Sequence, residues 1–375
     1  MMTSSRNQRE AVSRATAALQ SMFIADALAM PVHWYYNYHD IGKAFAGGVT
    51  KFEAAPDYHP SSIMALHSTS RGGRGGQSNG GRQREIVGEV ILKGKRQYWG
   101  QPNQHYHRGM SAGENTLNAH CARVVIRSLR AAGGHYAKDR FLDDYISFMT
   151  ADPPLHPDTY AESYHRGFFA NLESGKAKDR CGAVTHDTPS IGGLVTIAPI
   201  LFAERLRGTS LDEVQALCRE HLFLTHPDQG LAEVCASYVE LLDGLLFRSE
   251  GQAAEPLLAR AAENSMGLNL PALVEKARSD LDVVGGLFSP ACYISGSWPS
   301  VLYLAYRYLA DPGRALVANT NLGGDNVHRG AVLGTIVGLA NGYPPDGLFA
   351  QLKDREAIAT EITELLVTPE TQQNR

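Results

Sequence analysis

Apolar positions recur at a helical period over most of this chain. Between residues 12 and 29, Val12, Ala15, Leu19, Met22 and Phe23 fall on one stripe, and Asp26 shares it. Residues 116–131 repeat the pattern with Leu117, Cys121, Val124, Val125 and Leu129, and Gly133-Gly134 supplies a stop signal. Residues 229–247 place Leu231, Val234, Cys235, Tyr238, Leu241, Leu242 and Leu245 at the same spacing. Further helices are predicted at 193–207, 211–222, 254–265, 298–310 and 330–340. Two-residue alternation is scarce. Its one candidate is Glu85–Trp99, read as a short hairpin about Lys93-Gly94. No Pro/Ser-rich linker divides the chain and no fixed-period repeat is present, so residues 1–375 are expected to form one mostly helical domain.

Residues 67–84 (HSTSRGGRGGQSNGGRQR) break the pattern, because so much Gly and Arg cannot build a packed element. Two readings stand: a solvated surface loop, or a lid whose Arg side chains reach anionic ligand groups. Either way the stretch is expected to be poorly ordered without a ligand. The rest of the composition mainly excludes. Hydrophobic content of 43% against 20% charged residues is enough for a substantial core, and a net charge of −4 exerts no general pull on nucleic acid or anionic membranes. The N-terminus has no apolar signal region. Cys121, Cys181, Cys218, Cys235 and Cys292 are scattered and odd in number, which argues for reduced thiols and a cytoplasmic setting.

Four stretches carry candidate chemistry. Asp26, in Ala25-Asp26-Ala27-Leu28-Ala29-Met30-Pro31-Val32-His33, puts a carboxylate on an apolar stripe, either as a structural acceptor of backbone amides or as a site residue. Gly113-Glu114-Asn115-Thr116 opens a helix, where an acidic residue is a cap or a ligand. Asn321-Leu322-Gly323-Gly324-Asp325-Asn326-Val327-His328 feeds Asp325 from a Gly turn into a helix of small residues, as an ion or anion site or as a plain N-cap. Pro189-Ser190-Ile191-Gly192-Gly193 is a second glycine-rich helix entry, suited to a phosphate or a ribose hydroxyl, or simply a turn.

In order and spacing these segments resemble the ADP-ribosylglycohydrolase (J1-crystallin-like) family from end to end. ADALAMP at 25–31 is similar to the opening Gly-Asp-Ala-x-Gly-x-Pro, with Ala in both Gly places. Gly113 to Thr116 falls on Thr-Asp-Asp-Thr, Ser190 to Pro199 on the ligand-binding glycine stretch, and Thr225-His226 on a Thr-His segment. Trp298 to Leu302 resembles a late Leu-Pro-x-Ala-Leu helix, and Asn321 to His328 the closing Asn-Leu-Gly-Gly-Asp-Thr-Asp-Thr. The resemblance implies an all-α orthogonal bundle and a cleft where helix starts converge. It also implies two Mg²⁺ ions that orient ADP-ribose and a water for hydrolysis of a glycosidic bond.

The departures narrow that expectation. Four family carboxylates have become two, Glu114 and Asp325; Asn115 and Val327 stand in place of the others, Val327 without a donor atom, while His328, in a Thr place, adds a nitrogen. Glu114, Asn115, Asp325 and His328 can hold one divalent cation at most, Mg²⁺ or, through His328, a transition metal. Asp26 and Glu114 lie 88 positions apart, an insertion that includes the Gly/Arg stretch. His33-Trp34-Tyr35-Tyr36 replaces an acidic gate with aromatics that stack on a ligand or pack in the core. By this resemblance Glu114 and Asp325 are the catalytic pair. Asp26, His33, Ser190, Gly192, Gly193, His226, Gly323 and Gly324 bind a small ribosyl or ADP-ribosyl ligand, and helices 113–131 and 321–340 pack together. A catalytically silent, ADP-ribose-binding or crystallin-like member is the alternative, as is a hydrolase of an unrelated small substrate.

Overall fold

The computed structural model describes residues 2–64 and 84–367. The predicted Gly/Arg-rich loop therefore lies outside the described residues, except for Arg84, whose guanidinium reaches Glu173 and the Glu89 carbonyl. Among the described residues are fifteen α-helices: α1 Met2–Ala29, α2 Tyr38–Ala44, α3 Leu117–Ala131, α4 Lys138–Met149, α5 Ser163–Glu173, α6 Ile197–Leu206, α7 Leu211–Thr225, α8 Gln229–Leu246, α9 Glu255–Met266, α10 Leu270–Lys276, α11 Asp280–Val283, α12 Ile294–Arg307, α13 Pro312–Asn321, α14 Asn326–Asn341 and α15 Arg355–Leu366. Only isolated bridges, and no strand, occur among these residues. The fold is the all-α architecture that the pattern implied.

Caps follow local chemistry. Ser210 and Glu213 form a reciprocal capping box on α7, Asp228 accepts the Leu231 N–H at the start of α8, and left-handed Gly267 and Gly342 close α9 and α14.

The central seam joins α1 to α14. Gly330, Gly334 and Gly338 recur every fourth residue on α14 and let its backbone approach α1. A Cβ on Gly334 would stand 2.5 Å from the Ser21 carbonyl oxygen, and one on Gly338 2.6 Å from that of Ala17. α1 also meets the length and hydropathy of a membrane span (Arg6–Val32), but 89% of its most apolar window is buried inside the fold. Its apolarity is accounted for by this seam.

The expected hairpin at Glu85–Trp99 is not formed. Ile86–Val90 makes one wide helical turn broken at Gly88 (φ 102°), and Arg96–Tyr98 a 3-10 turn. Ile86, Val87, Val90 and Ile91 all enter the core, so consecutive side chains do not alternate between two faces as a strand requires. Helices α2, α4, α5, α10, α11, α13 and α15 were not anticipated. In α5 the buried face carries Ser163, His165 and Arg166 among its apolar residues, which hides the period.

Candidate active site

The site begins where α1 ends. Pro31 opens a 3-10 turn over Met30–Val32, and Trp34 then adopts a left-handed backbone (φ 60°). This segment is pinned to the Gly turn before α14. Trp34 N–H donates to the Gly324 carbonyl at 2.8 Å, and Gly324 N–H returns a bond to Tyr35 at 2.7 Å. Gly323 and Gly324 (φ 67° and 65°) leave no room for a side chain, since a Cβ would run into the carbonyl oxygens of Tyr35 and Pro290. The turn is braced from below by buried Arg329, which donates to the Gly323 carbonyl at 2.8 Å and to Asn319 Oδ1 at 2.7 Å.

Histidines from the insertion hold the other side. His59 Nε2 donates to the His33 carbonyl (2.8 Å) and His105 Nε2 to that of Pro31 (3.0 Å), while their Nδ1 atoms accept the N–H groups of Ser61 and His107. Carbonyl acceptors fix these tautomers.

With its backbone held, His33 joins a continuous buried chain of three carboxylates and three imidazoles. Asp158 Oδ1 meets His107 Nδ1 at 2.8 Å, and His107 Nε2 meets His33 Nδ1 at 2.7 Å. His33 Nε2 meets Asp325 Oδ1 at 3.0 Å, and that oxygen meets His328 Nδ1 at 2.9 Å. His328 Nε2 ends the chain 3.2 Å from Glu162 Oε1 and 2.6 Å from the Asn118 amide. The Trp34 indole stacks on His33 at 3.6 Å. Burial alone would raise the Asp325 pKa, but the adjacent His328 charge and the bonds from His328 and His33 hold it well below the usual carboxylate range. Burial pushes His33 well down, toward the neutral ring. His328 is also desolvated, yet Asp325 and Glu162 on its two sides drive its pKa well up. Asp325 heads α14 without capping it, so the plain N-cap reading of this residue is overturned.

The Gly113–Thr116 segment is bonded to Asp26 of α1. Asp26 Oδ1 accepts the Asn115 amide and the Thr116 N–H, each at 2.8 Å, and Oδ2 accepts the Thr116 hydroxyl at 2.6 Å. Burial raises the Asp26 pKa against these bonds. Asp158 Oδ2 takes the Leu117 N–H at 2.8 Å, so two carboxylates from elsewhere in the chain cap α3. Asn115 spends its amide nitrogen on Asp26 and the Phe23 carbonyl. Glu114 is partly exposed and turns back to accept the Ser111 N–H at 2.7 Å in its own turn. The structure thus gathers His33, Asp325 and His328, and it leaves Asn115 and Asp26 in the α3 cap, which Asp158 links to the imidazole chain, and Glu114 in its own turn. The expected packing of residues 113–131 against 321–340 is not formed: α3 reaches α14 through the Asn118–His328 bond, and α14 packs on α1 instead.

A cleft of about 170 Å³ opens beside His328. Trp34, Tyr36, Tyr106, Tyr160, Tyr164 and Tyr293 wall it, with Glu162, Asp187, Ser190 and Cys292 among the polar lining. Of the aromatics after His33, Trp34 and Tyr36 face the cleft while Tyr35 is buried. Gly192 packs within 3.5 Å of Tyr164, Asn118 and His328, measured from where a Cβ would stand. Gly193 and His226 sit behind the wall: a Cβ on Gly193 would meet His226, whose ring lies 4.0 Å from Tyr164. Burial lowers the His226 pKa to about 3.

Glu162 was not anticipated. It is 6% exposed, lines the cleft, and leaves Oε2 without a hydrogen-bond partner, His165 Nε2 standing 3.7 Å away. Glu162 immediately precedes α5, and a run of Asp158, Tyr160 and Glu162 before a helix was its only local signal.

Residues 6–374 match the ADP-ribosylglycohydrolase family profile. The chain belongs to that family. A solved structure described as an ADP-ribosylglycohydrolase-related protein complex shares the fold, with a TM-score of 0.58 and 17% identity over 96% of this chain and 98% of that one. No curated protein matches the sequence. The family is one of glycosidic hydrolases.

The two-Mg²⁺ centre that the resemblance implies does not fit the residues present. Val327 is fully buried and apolar, Asn115 is bonded to Asp26, and Glu114 faces its own turn. Two Mg²⁺ ions need several hard oxygen donors, and these positions do not supply them. What fits is one ion: His33, Asp325 and His328 offer ligand atoms within 4.8 Å of one another. The second nitrogen of each imidazole is held through a chain that ends on a carboxylate, His33 by His107 and Asp158, His328 by Glu162.

Proposed function

We propose that this protein hydrolyses a glycosidic bond of a ribosyl or ADP-ribosyl conjugate in the aromatic cleft, with Glu162 and Asp325 as the working carboxylates. The observation that carries this reading is Glu162 itself: a buried carboxylate on the cleft wall with one oxygen left unbonded. An unsatisfied buried oxygen is costly unless a ligand or water completes it. Glu162 takes the proton of the attacking water. His328, clasped between Glu162 and Asp325, fixes the position of both groups, and Asp325 is oriented in turn by His33. Family membership supports the reaction class, and Glu162 on the cleft wall, held through His328 by buried Asp325, supports the means.

His33, Asp325 and His328 would hold a single divalent cation, and two imidazoles favour a transition metal over Mg²⁺. Such an ion supplies Lewis acidity to a bound water. The loss of the family's magnesium ligands favours the second reading, a binding or structural member without turnover.

The deciding experiment follows release of free ribosyl product from a panel of ADP-ribosyl and ribosyl conjugates. Wild type is expected to turn over at least one of them, with Glu162→Gln and Asp325→Asn each slower by ~10²–10⁴. No turnover alongside tight ligand binding would establish the silent reading. Calorimetry with Mg²⁺, Mn²⁺ and Zn²⁺ is expected to find no more than one bound ion, lost in His328→Ala. Two ions would refute the donor argument.

A further inference from the structure

A hydrolase that uses Glu162 as its base still has to give a proton to the departing atom, because an alkoxide or an amine anion leaves poorly. Among the described lining residues few supply one. His328 faces the cleft, but its Nδ1 lies against Asp325 and its Nε2 against Glu162 and Asn118. Burial pushes the Cys292 thiol and the Tyr36, Tyr106, Tyr160 and Tyr164 hydroxyls up, away from use as acids near neutrality. The serine hydroxyls are weaker acids still. His186 remains. It lines the cleft, and imidazole is the side chain that changes charge near neutral pH.

A stitched turn sets its position. Thr188 Oγ1 donates to the Ala183 carbonyl at 3.0 Å and accepts the Thr185 N–H at 2.7 Å, while Thr185 Oγ1 accepts the Asp187 N–H at 3.2 Å. His186 Nε2 then stands 2.7 Å from Asp187 Oδ1, and Nδ1 meets no hydrogen-bond partner among the described residues. Asp187 Oδ2 accepts the Ser163 hydroxyl at 2.7 Å and the Ser163 N–H at 3.3 Å. Burial alone would raise the Asp187 pKa, but His186, Ser163 and Arg166 hold it below the ordinary value. A carboxylate placed this way orients an imidazole and stabilises its protonated form. Ser163 is the residue after Glu162. The start of α5 therefore carries the base on one residue and anchors the partner of His186 with the next.

We infer that His186 is the acid of the reaction and Asp187 its positioning residue, an assignment that rests on the hydrolase reading above. The water oxygen bonds C1 of the ribosyl group as Glu162 takes one of the water protons. The bond from C1 to the leaving oxygen or nitrogen breaks with its electron pair on that atom, and the proton on His186 Nδ1 passes to it. Glu162 is left protonated and His186 neutral, and exchange with solvent restores both. Exposure suits the role, since an acid has to regain its proton in every cycle: the His186 side chain is 47% exposed and that of His328 only 3%.

The test uses the full chain and two conjugates of the ribosyl or ADP-ribosyl group that wild type accepts. One carries an alkyl alcohol or amine, the other 4-nitrophenol, whose anion leaves without a proton. His186→Gln should lower kcat by ~10²–10⁴ on the alkyl conjugate and by about 10-fold or less on the nitrophenyl one. Asp187→Asn should show the same imbalance at smaller size, and it gives a second reading if His186→Gln fails to fold. Glu162→Gln should slow both conjugates alike, because both need the base. Equal losses on the two conjugates in His186→Gln, or a raised KM with kcat kept, would make His186 a structural or ligand-binding group. Either result would overturn the assignment and leave the hydrolase reading standing. No turnover of any conjugate by wild type would overturn the hydrolase reading itself, and the assignment with it.

Discussion

α14 runs through two different kinds of interior. Its later turns lie in the seam with α1, where Gly330, Gly334 and Gly338 allow helix backbones to touch. Its first turn, His328 with Asp325 ahead of it, lies in a polar layer with His33, His107, Asp158 and Glu162. The seam is set by size and tolerates no added atom. The polar layer is set by donor–acceptor matching and tolerates no lost partner. Stability and chemistry are therefore carried by adjacent turns of one helix but answer to different substitutions.

The largest effect is expected on the polar side. Asp158→Ala removes the acceptor for His107 and for the Leu117 N–H at once, and should cost about 3–5 kcal/mol in urea unfolding. A cost below ~1 kcal/mol would mean that the chain of carboxylates and imidazoles is not a cooperative unit.

On the seam side, Gly334→Ala puts a Cβ 2.5 Å from the Ser21 carbonyl oxygen and is expected to cost about 3 kcal/mol. The ratio of turnover rates between conjugates should stay unchanged. A shift in that ratio would show that the two interiors are coupled through α14.

Acid acts on a third set of buried groups. Burial lowers His120 and His221 to about 3 and His156 to about 4, all below the ordinary value of 6.5. These groups are neutral in the folded chain, so the unfolded chain binds more protons below pH 6.5. Stability is full above pH 6.5 and is lost as pH falls toward 4, with a slope of up to about 1.4 kcal/mol per pH unit for each histidine. His221→Asn should flatten the curve in that window. An unchanged slope would locate the acid sensitivity elsewhere.

The smallest effect concerns Glu114. Because it accepts only a local N–H and is partly exposed, Glu114→Gln is expected to change stability by no more than ~0.5 kcal/mol and turnover by a few-fold. A loss of ~10²-fold or more, matching that of Glu162→Gln, would give Glu114 back the catalytic role suggested by the family motif.

Most of the helices were legible because helical period is local: Leu231, Val234, Cys235, Tyr238 and Leu242 need only their own spacing to reveal α8. The hairpin misreading has the same root. An alternating pattern implies a strand only when a partner strand exists, and Ile86 to Ile91 found a core to enter instead.

The site was legible in part. Asp325, His328 and His33 stand out by motif position, and Ser190 by its glycine-rich turn. Sequence by itself determined the all-α class, the family and half of the site. It could not show that Asp158 and Glu162 meet His107 and His328 across separations of 51 and 166 positions, nor that Glu114 turns away. A carboxylate carries no local mark of its partner. Whether it caps a turn, pairs with an imidazole or waits on a cleft wall is decided by which distant atoms the tertiary fold brings within hydrogen-bonding distance.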